Sequence, residues 1–466
     1  MEDGMAGGTG AERRGGDGGP ITVGVVNLGC PKNQVDAEVM LGQLAAAGYR
    51  IAESPEEAEL VIVNTCGFIQ EAKEESIQSI LAAAELKRRG RCRALVVSGC
   101  LPQRYAAELP GLLPEVDAFL GTGEFARIGE IARTALATPG RDRVWITART
   151  ALPTADLPRR RLTPPHVAYV KVAEGCDHTC SFCAIPGIRG RLQSRPRADV
   201  AAEVRRLAAE GVREVILVAQ DTTAYGWDRG EPRALVRLLE ELLQVPGLAW
   251  IRLHYLYPTR IPRELVRLLA AEPRLCRYLD LPLQHCDGRI LHAMRRGGHE
   301  TSLRRLVDGL RAAVPDLVIR TSFITGFPGE GREEFAALHR FLEEMRFDRV
   351  GVFCYSDEEG TGAVALKPKV PARIAEARRA KLMAVQARIA EERGRALIGS
   401  VQEVLVDGPS PQFPELMAAR MAGQTFEVDG CVYVRGPAPP AGRFVQVRIR
   451  EAFEHDFVGE VVEVPQ

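Results

Sequence analysis

Short runs of apolar residues alternate, from Ile21 to about Ala151, with longer segments in which apolar positions recur every three or four residues. Short apolar strands separated by amphipathic helices are typical of a parallel sheet with crossover helices. The sequence therefore predicts an N-terminal parallel α/β domain over residues 21–151. Its predicted strands are residues 21–29, 60–64 and 94–99, and its predicted helices are residues 33–47 and 69–89.

The same alternation occurs six more times over residues 166–398. Repeated βα units in one sheet close wholly or partly into a barrel, and a full barrel of this kind has eight of them. Six units therefore predict an open, partial (βα)6 barrel, followed by one long helix over residues 371–398. The six predicted strands are residues 166–174, 212–220, 250–258, 277–284, 318–326 and 350–356.

The last segment, residues 399–466, has a shorter period, and Gly and Pro separate its apolar runs. This pattern predicts a small antiparallel β-barrel of OB-like size. A Pro- and Arg-rich stretch, residues 152–165, is the predicted linker between the first two domains, and the Gly-rich residues 1–20 are a predicted disordered leader. The predicted strands of the small barrel are residues 401–406, 425–428, 432–434, 444–449 and 457–464.

The composition argues against several classes of protein. Lys and Arg together number 61, as do Asp and Glu, so the chain lacks the basic excess expected of a protein that binds mainly phosphates. The sequence shows neither a secretory signal nor an apolar run of about 20 residues, so no membrane association is expected. We therefore expect a cytoplasmic protein, in which clustered cysteines serve more often as metal ligands or catalysts than as disulfides.

Three cysteines, here named the loop triad, form a C-x3-C-x2-C motif at Cys176, Cys180 and Cys183, directly after the first predicted strand of the partial barrel. Three thiolates this close can hold three irons of a [4Fe–4S] cluster and leave the fourth iron open to a bound molecule. Ligands of α/β folds gather at the carboxyl ends of strands, where this motif lies. The alternatives are a zinc site with His178 as a fourth ligand, or three inert buried thiols.

In this position the motif resembles that of the radical S-adenosylmethionine (SAM) superfamily. The resemblance implies that SAM chelates the open iron and that an electron from the cluster cleaves it to methionine and a 5′-deoxyadenosyl radical. That radical would remove a hydrogen atom from carbon. Residues 219–223 and 324–330 resemble the SAM-contacting regions of the superfamily, although Gly, Asp and Thr are also common at ordinary strand-to-helix turns.

A second set, here named the edge triad, consists of Cys30, Cys66 and Cys100, each of which follows one predicted strand of the first domain. A βα unit is about 30 residues long, so each unit delivers one thiol to the same edge of the sheet. Three thiols that converge there can hold a second three-ligand cluster. The alternative is that a small residue such as cysteine simply suits a tight strand end.

The two triads together resemble the methylthiotransferases, which combine an N-terminal cluster domain, a radical SAM barrel and a C-terminal TRAM domain. The resemblance spans Ile21 to the C-terminus. It implies two [4Fe–4S] clusters, one at each triad, of which the second supplies or carries the sulfur. It also implies that one SAM donates the methyl group, that another supplies the radical, and that a low-potential donor such as flavodoxin or ferredoxin provides electrons.

Within that family the chain resembles the RimO type, which modifies an aspartate of small-subunit ribosomal protein number twelve, more than the MiaB type, which modifies tRNA adenosine. The features that carry this resemblance are His178 and residues 220–226, 252–258 and 281–285, whereas residues 286–288 depart from the expected pattern. The resemblance implies methylthiolation of the aspartate β-carbon.

The charge of the last segment favours a protein substrate. From Val401 onward there are ten acidic and five basic residues, a net charge of −5. An RNA-binding module is expected to be basic, whereas an acidic one would attract a basic ribosomal protein. Methylthiolation of tRNA remains the alternative, and a non-catalytic iron–sulfur sensor is a more distant one.

Overall fold

A computed structural model describes residues 19–140, 143–148, 151–436 and 439–463. Of the predicted leader, all but Gly19 and Pro20 lies outside these residues. The predicted parallel sheet is present, and it has six strands rather than the three expected. Their order is Arg50–Ile51, Thr22–Asn27, Leu60–Thr65, Ala94–Gly99, Ala118–Leu120 and Val144–Trp145, and all neighbours are parallel.

One helix of this first unit, Pro31–Ala46, has an unusual surface because it buries both apolar and polar side chains. Its apolar residues pack on the first sheet, and Val35 packs on the next one. The helix therefore lies between the two sheets, and its buried polar residues face partners on both. The other helices of this unit are Gln70–Arg89, Cys100–Arg104, Leu109–Leu112 and Ile128–Ala137, with 3-10 turns at Pro55–Glu57 and Phe125–Arg127.

The second sheet has six parallel strands in chain order, as the six βα units predict. They are Val167–Lys171, Glu214–Val218, Trp250–Leu253, Leu275–Asp280, Val318–Thr325 and Arg349–Cys354. Among the described residues the first and last of these strands do not pair, so this is an open, partial barrel. A short antiparallel ribbon, Ala173–Glu174 with Gln193–Ser194, follows the first strand.

Helices cover the outer face of this sheet and bury a large aliphatic core against it. Side chains alternate between the two faces of a strand, so the remaining residues of each strand point into the partial barrel. The helices are Ile185–Arg189, Arg197–Ala209, Ala234–Leu242, Arg263–Ala271, Gly288–Ala293, Glu300–Ala313, Arg332–Met345 and Ala372–Leu397. The last of these confirms the predicted long helix.

The C-terminal segment forms a closed five-stranded barrel, as expected from its short period. Its order is Val401–Pro409, Met417–Met421, Val432–Arg435, Phe457–Glu463 and Phe444–Ala452. Four of the five neighbouring pairs are antiparallel, and the pair of Val432–Arg435 with Phe457–Glu463 is parallel.

The strand predicted at residues 425–428 is wrong, because that segment is a turn directed at the partial barrel. The Thr425 hydroxyl lies 2.8 Å from Nε2 of buried His254, and the Tyr169 hydroxyl donates to the Phe426 carbonyl at 3.0 Å. Phe426 packs against Tyr169 rather than inside the small barrel. These contacts with another unit of the chain override the local β pattern.

A buried ion network also joins the small barrel to the partial barrel. Arg420 donates to Glu214 at 2.7 Å and to Asp407 at 2.7 Å, and Arg252 donates to the other oxygen of Glu214 at 2.8 Å. All four side chains are largely or wholly buried. Among the described residues, no helix is long and apolar enough to span a bilayer.

Candidate active site between two cysteine triads

The loop triad lies between the short ribbon and the helix Ile185–Arg189, at the carboxyl end of the first strand of the partial barrel. Gly175 opens the loop at φ +77°, and a Cβ there would come within 2.1 Å of the Arg191 carbonyl oxygen. Cys176 N–H donates to the Gly190 carbonyl at 3.1 Å. Ser181 donates from its N–H and its hydroxyl to the carbonyls of Met294 and Ala293. The loop is therefore held at both ends.

The sulfurs of the loop triad are close enough to influence one another electrostatically. Burial raises the pKa of Cys176 to about 11 and that of Cys183 to about 12, and the charge of Cys180 adds to both shifts. Arg296 approaches the Cys180 sulfur at 3.7 Å. Deprotonating these thiols is therefore costly unless a positive charge, such as that of iron, is bound among them.

A cavity of about 340 Å³ opens beside Cys176. His178 Nε2 lies 2.7 Å from Asp221, and the His178 ring stacks on Tyr257 with centroids 3.8 Å apart. His178 is thus engaged by Asp221 and Tyr257. The polar strand end predicted at residues 219–223 does line the cavity through Asp221, whereas Gly326 packs against Ala375 of the long helix.

The edge triad comes together because three strands of the first sheet end in register. Thr65 pairs with Gly99, and Asn27 pairs with Asn64, so the residues that follow stand side by side. A Cβ on Gly29 would lie 3.1 Å from the Cys66 Cβ, and a Cβ on Gly67 would lie 3.0 Å from the Cys100 backbone. The glycines beside the cysteines therefore let these loops approach closely.

Buried asparagines fix the same three loops to one another. Asn33 donates to the Thr65 carbonyl at 2.8 Å and to the Leu28 carbonyl at 3.1 Å. Asn64 donates to the Asn33 carbonyl at 2.8 Å, and the Ser98 hydroxyl donates to the Asn64 side chain at 3.0 Å. These side chains link the three strand ends, so the edge triad is held by a hydrogen-bonded frame.

The three thiols of the edge triad differ in their tendency to ionise. Burial raises the pKa of Cys66 to about 12, and the charges of Cys100 and Cys30 add to that rise. Burial also raises the pKa of Cys100, against the opposing charge of Arg189. At Cys30 burial is outweighed by the positive charges of Lys32 and Arg189, so its pKa is lowered. The three sulfurs are therefore close enough to repel one another when ionised.

Arg189 connects the two triads, and with Lys171, Asp36 and Glu174 it forms what is here named the Arg189 network. It ends the helix that begins just after Cys183, and it donates to the Cys100 sulfur at 3.3 Å. It also donates to Asp36 at 2.9 Å and to Glu174 at 2.8 Å, and Lys171 donates to Glu174 at 2.7 Å. The edge triad therefore faces the mouth of the partial barrel.

Sequence reasoning did not identify the Arg189 network or Lys32, which lies two residues after Cys30. Asp36 lies 153 residues from Arg189 and 135 from Lys171, although Glu174 lies only 15 and 3 residues from them. The only local signal was their position beside the cysteine motifs. Within the described part of the chain, no three His, Cys, Asp or Glu side chains converge closely enough to hold a single metal ion.

Three known families match this chain, one for each of its three structural units and in the same order. Residues 22–121 match the family described as Uncharacterized protein family UPF0004, residues 170–342 match the radical SAM superfamily, and residues 398–462 match the TRAM domain. The first match includes the edge triad, and the second includes the loop triad.

Full-length relatives decide the family. A ribosomal protein uS12 methylthiotransferase RimO from Anaeromyxobacter sp. (strain Fw109-5) is 48% identical over 93% of this chain and 92% of its own. Proteins of the same name from Myxococcus xanthus and Geobacter sulfurreducens are each 47% identical, over 96% and 94% of this chain and 93% and 98% of their own. The chain belongs to the RimO family.

Membership of the RimO family confirms the enzyme class predicted from the cysteine motifs, a radical SAM methylthiotransferase, together with its use of SAM and [4Fe–4S] clusters. Among solved structures, the radical SAM methyltransferase TsrM from Kitasatospora setae has a TM-score of 0.51 at 16% identity and covers 71% of this chain and 72% of its own. That likeness concerns the fold alone, and it agrees with the parallel α/β architecture.

Proposed function

We propose that the protein methylthiolates the β-carbon of an aspartate in ribosomal protein uS12, with one [4Fe–4S] cluster at each cysteine triad. The observation that carries the proposal is the position of Arg189, which ends the helix that follows the loop triad and donates to the Cys100 sulfur of the edge triad. Sulfur insertion requires the radical and the sulfur to meet at one carbon atom. Two triads that face the same opening satisfy that requirement.

The donor sets suit clusters of this kind. Each triad offers three thiols that influence one another electrostatically, and a cubane spreads its ligands over several irons, so its thiolates need not converge on one point. A single zinc ion needs four closely placed ligands. His178, the fourth ligand considered for zinc, is instead engaged by Asp221 and Tyr257. The arrangement therefore favours two clusters.

Held by Cys176, Cys180 and Cys183 and by Cys30, Cys66 and Cys100, the two clusters would supply the electron that cleaves one SAM, the sulfur that is inserted, and an acceptor for the electron that C–S bond formation releases. One SAM gives its methyl group to that sulfur and leaves as S-adenosylhomocysteine. The other yields methionine and, after hydrogen abstraction from the aspartate β-carbon, 5′-deoxyadenosine. The chain's own part is to hold both triads at one opening.

The small barrel contributes to substrate choice in this proposal. Its net charge of −5 disfavours binding to RNA phosphates and favours binding to a basic ribosomal protein. One of its acids, Asp407, is already paired with Arg420. A ribosomal substrate places the enzyme in the cytoplasm. A low-potential protein such as flavodoxin or ferredoxin would provide the electrons.

The test uses the full chain, reconstituted without oxygen and supplied with SAM and dithionite. Purified uS12, a uS12 peptide with the target aspartate, and unmodified tRNA are incubated in parallel and analysed by mass spectrometry. The expected result is one methylthio group on uS12 and on the peptide, with S-adenosylhomocysteine and 5′-deoxyadenosine released. Methylthiolated tRNA with unmodified uS12 would replace the proposal by its alternative. Release of no 5′-deoxyadenosine would point to a sensor.

A further inference from the structure

Lys32 is a buried ammonium that no carboxylate of the described residues pairs with directly. It is 7% exposed, and among the described residues it forms neither an ion pair nor a side-chain hydrogen bond. Its Nζ lies 3.3 Å above the ring of Tyr255, where the π-electrons attract a cation. Burying a charge is costly unless it is paired, so a buried ammonium with only a ring beneath it indicates a missing partner.

The backbone beneath Lys32 is held in an unusual conformation. Tyr255 has φ +57°, a region that non-glycine residues rarely adopt. Its N–H donates to Asp280 at 3.2 Å, and its carbonyl accepts from Thr222 N–H at 2.8 Å. These bonds fix the ring under the ammonium. Strained residues of this kind concentrate at binding and catalytic sites.

The charges around Lys32 do not neutralise it. Asp280 faces it but is already bonded to Arg320 at 3.1 Å. His254 also faces it and is kept neutral, because burial lowers its pKa well below the ordinary value. Cys30 is also a neighbour, and under the proposed function its thiolate binds iron. The Arg189 network has two cations and two carboxylates and contributes no excess of either sign.

We propose that Lys32 binds the side-chain carboxylate of the substrate aspartate. Lys32 lies on the edge-triad side of the opening, and Tyr255 follows a strand of the partial barrel, so a carboxylate bound there lies between the two triads. The carboxylate is bonded directly to the β-carbon that is modified, so binding the carboxylate also fixes the position of that carbon. This inference rests on the proposed function and adds the residue that distinguishes aspartate from its neutral analogues.

The test compares two uS12 peptides that differ only in whether the target residue is aspartate or asparagine. Their dissociation constants are measured for the reconstituted full chain, for Lys32→Met and Lys32→Gln, and for Lys381→Met as a control that removes one exposed lysine. Iron and sulfide contents and the visible spectrum are recorded for each protein. Lys32→Gln keeps a polar side chain, so the comparison remains possible even if Lys32→Met does not assemble its clusters.

The wild type and Lys381→Met are expected to bind the aspartate peptide at least tenfold more tightly than the asparagine peptide. Both Lys32 variants are expected to lose this preference while keeping their clusters. A tenfold or greater preference that persists in the Lys32 variants would overturn the inference, as would a wild type that binds both peptides equally. Failure of the wild type to methylthiolate either uS12 or the peptide would instead overturn the proposed function.

Discussion

The guanidinium of Arg189 donates a hydrogen bond to the sulfur of Cys100 at 3.3 Å, across the junction between the two parallel sheets. Arg189 is 1% exposed, and its guanidinium pairs with Asp36 and Glu174. One side chain thus ties the edge triad of the first sheet to the helix that follows the loop triad. The contact acts together with the Lys171–Asp36 and Arg159–Glu38 pairs, which also join the two units.

Replacing Arg189 by Met should destabilise the protein by about 3–5 kcal/mol, because it leaves Asp36 and Glu174 buried with only Lys171 as a cation. The measurement is urea unfolding of the chain as purified. Arg191, which is exposed and pairs with Asp177, gives the matched control, and Arg191→Met should leave the urea midpoint close to that of the wild type. Equal effects of the two substitutions would show that the Arg189 network is not structurally important.

Replacing Arg189 by Lys should preserve the fold and lower the reduction potential of the cluster at the edge triad. A lysine keeps the charge but cannot reproduce the fork that reaches Asp36, Glu174 and Cys100 together. Hydrogen bonds to cluster ligands favour the reduced state, so their loss lowers the reduction potential. A redox titration followed by electron paramagnetic resonance should show one cluster at lower potential and the other unchanged. If the reduction potentials of both clusters are unchanged, Arg189 does not influence the edge-triad cluster.

The link between the small barrel and the partial barrel should weaken in acid. Burial opposes ionisation of both Glu214 and Asp407. At Glu214 the charges of Arg420 and Arg252 outweigh burial and lower the pKa, and at Asp407 the hydrogen bond from His166 and the charge of Arg420 do the same. A lowered native pKa contributes stability above the unfolded value of about 4, and that stability is lost as the pH falls below it. Unfolding measured from pH 6 to pH 3 should therefore show a steep loss. In Asp407→Asn the loss should be shallower, and identical slopes would contradict this assignment.

The sequence contained enough local pattern to predict the strands that carry the cysteines. Leu60–Thr65 and Ala94–Gly99 are buried runs that begin with four apolar residues and end directly before a cysteine, so the sequence indicated both their position and their end. Arg50–Ile51, Ala118–Leu120 and Val144–Trp145 were missed because two or three residues carry too little periodicity to be recognised.

What could not be predicted depends on contacts between distant parts of the chain. Residues 425–428 form a turn because Thr425 and Phe426 bind His254 and Tyr169, about 170 and 257 residues away. Lys32 lies just before the helix predicted over residues 33–47, and nothing local indicates its contact with Tyr255, which is 223 residues away. No local pattern encodes such pairings.

The most direct test of the two-triad account replaces each triad by alanine in turn and measures three quantities under dithionite: iron content, 5′-deoxyadenosine and methylthiolated uS12. The Cys30, Cys66 and Cys100 variant should hold about four irons rather than about eight, release 5′-deoxyadenosine, and form no methylthiolated product. The Cys176, Cys180 and Cys183 variant should form neither product. Methylthiolation of uS12 by a chain that lacks Cys30, Cys66 and Cys100 would contradict the account.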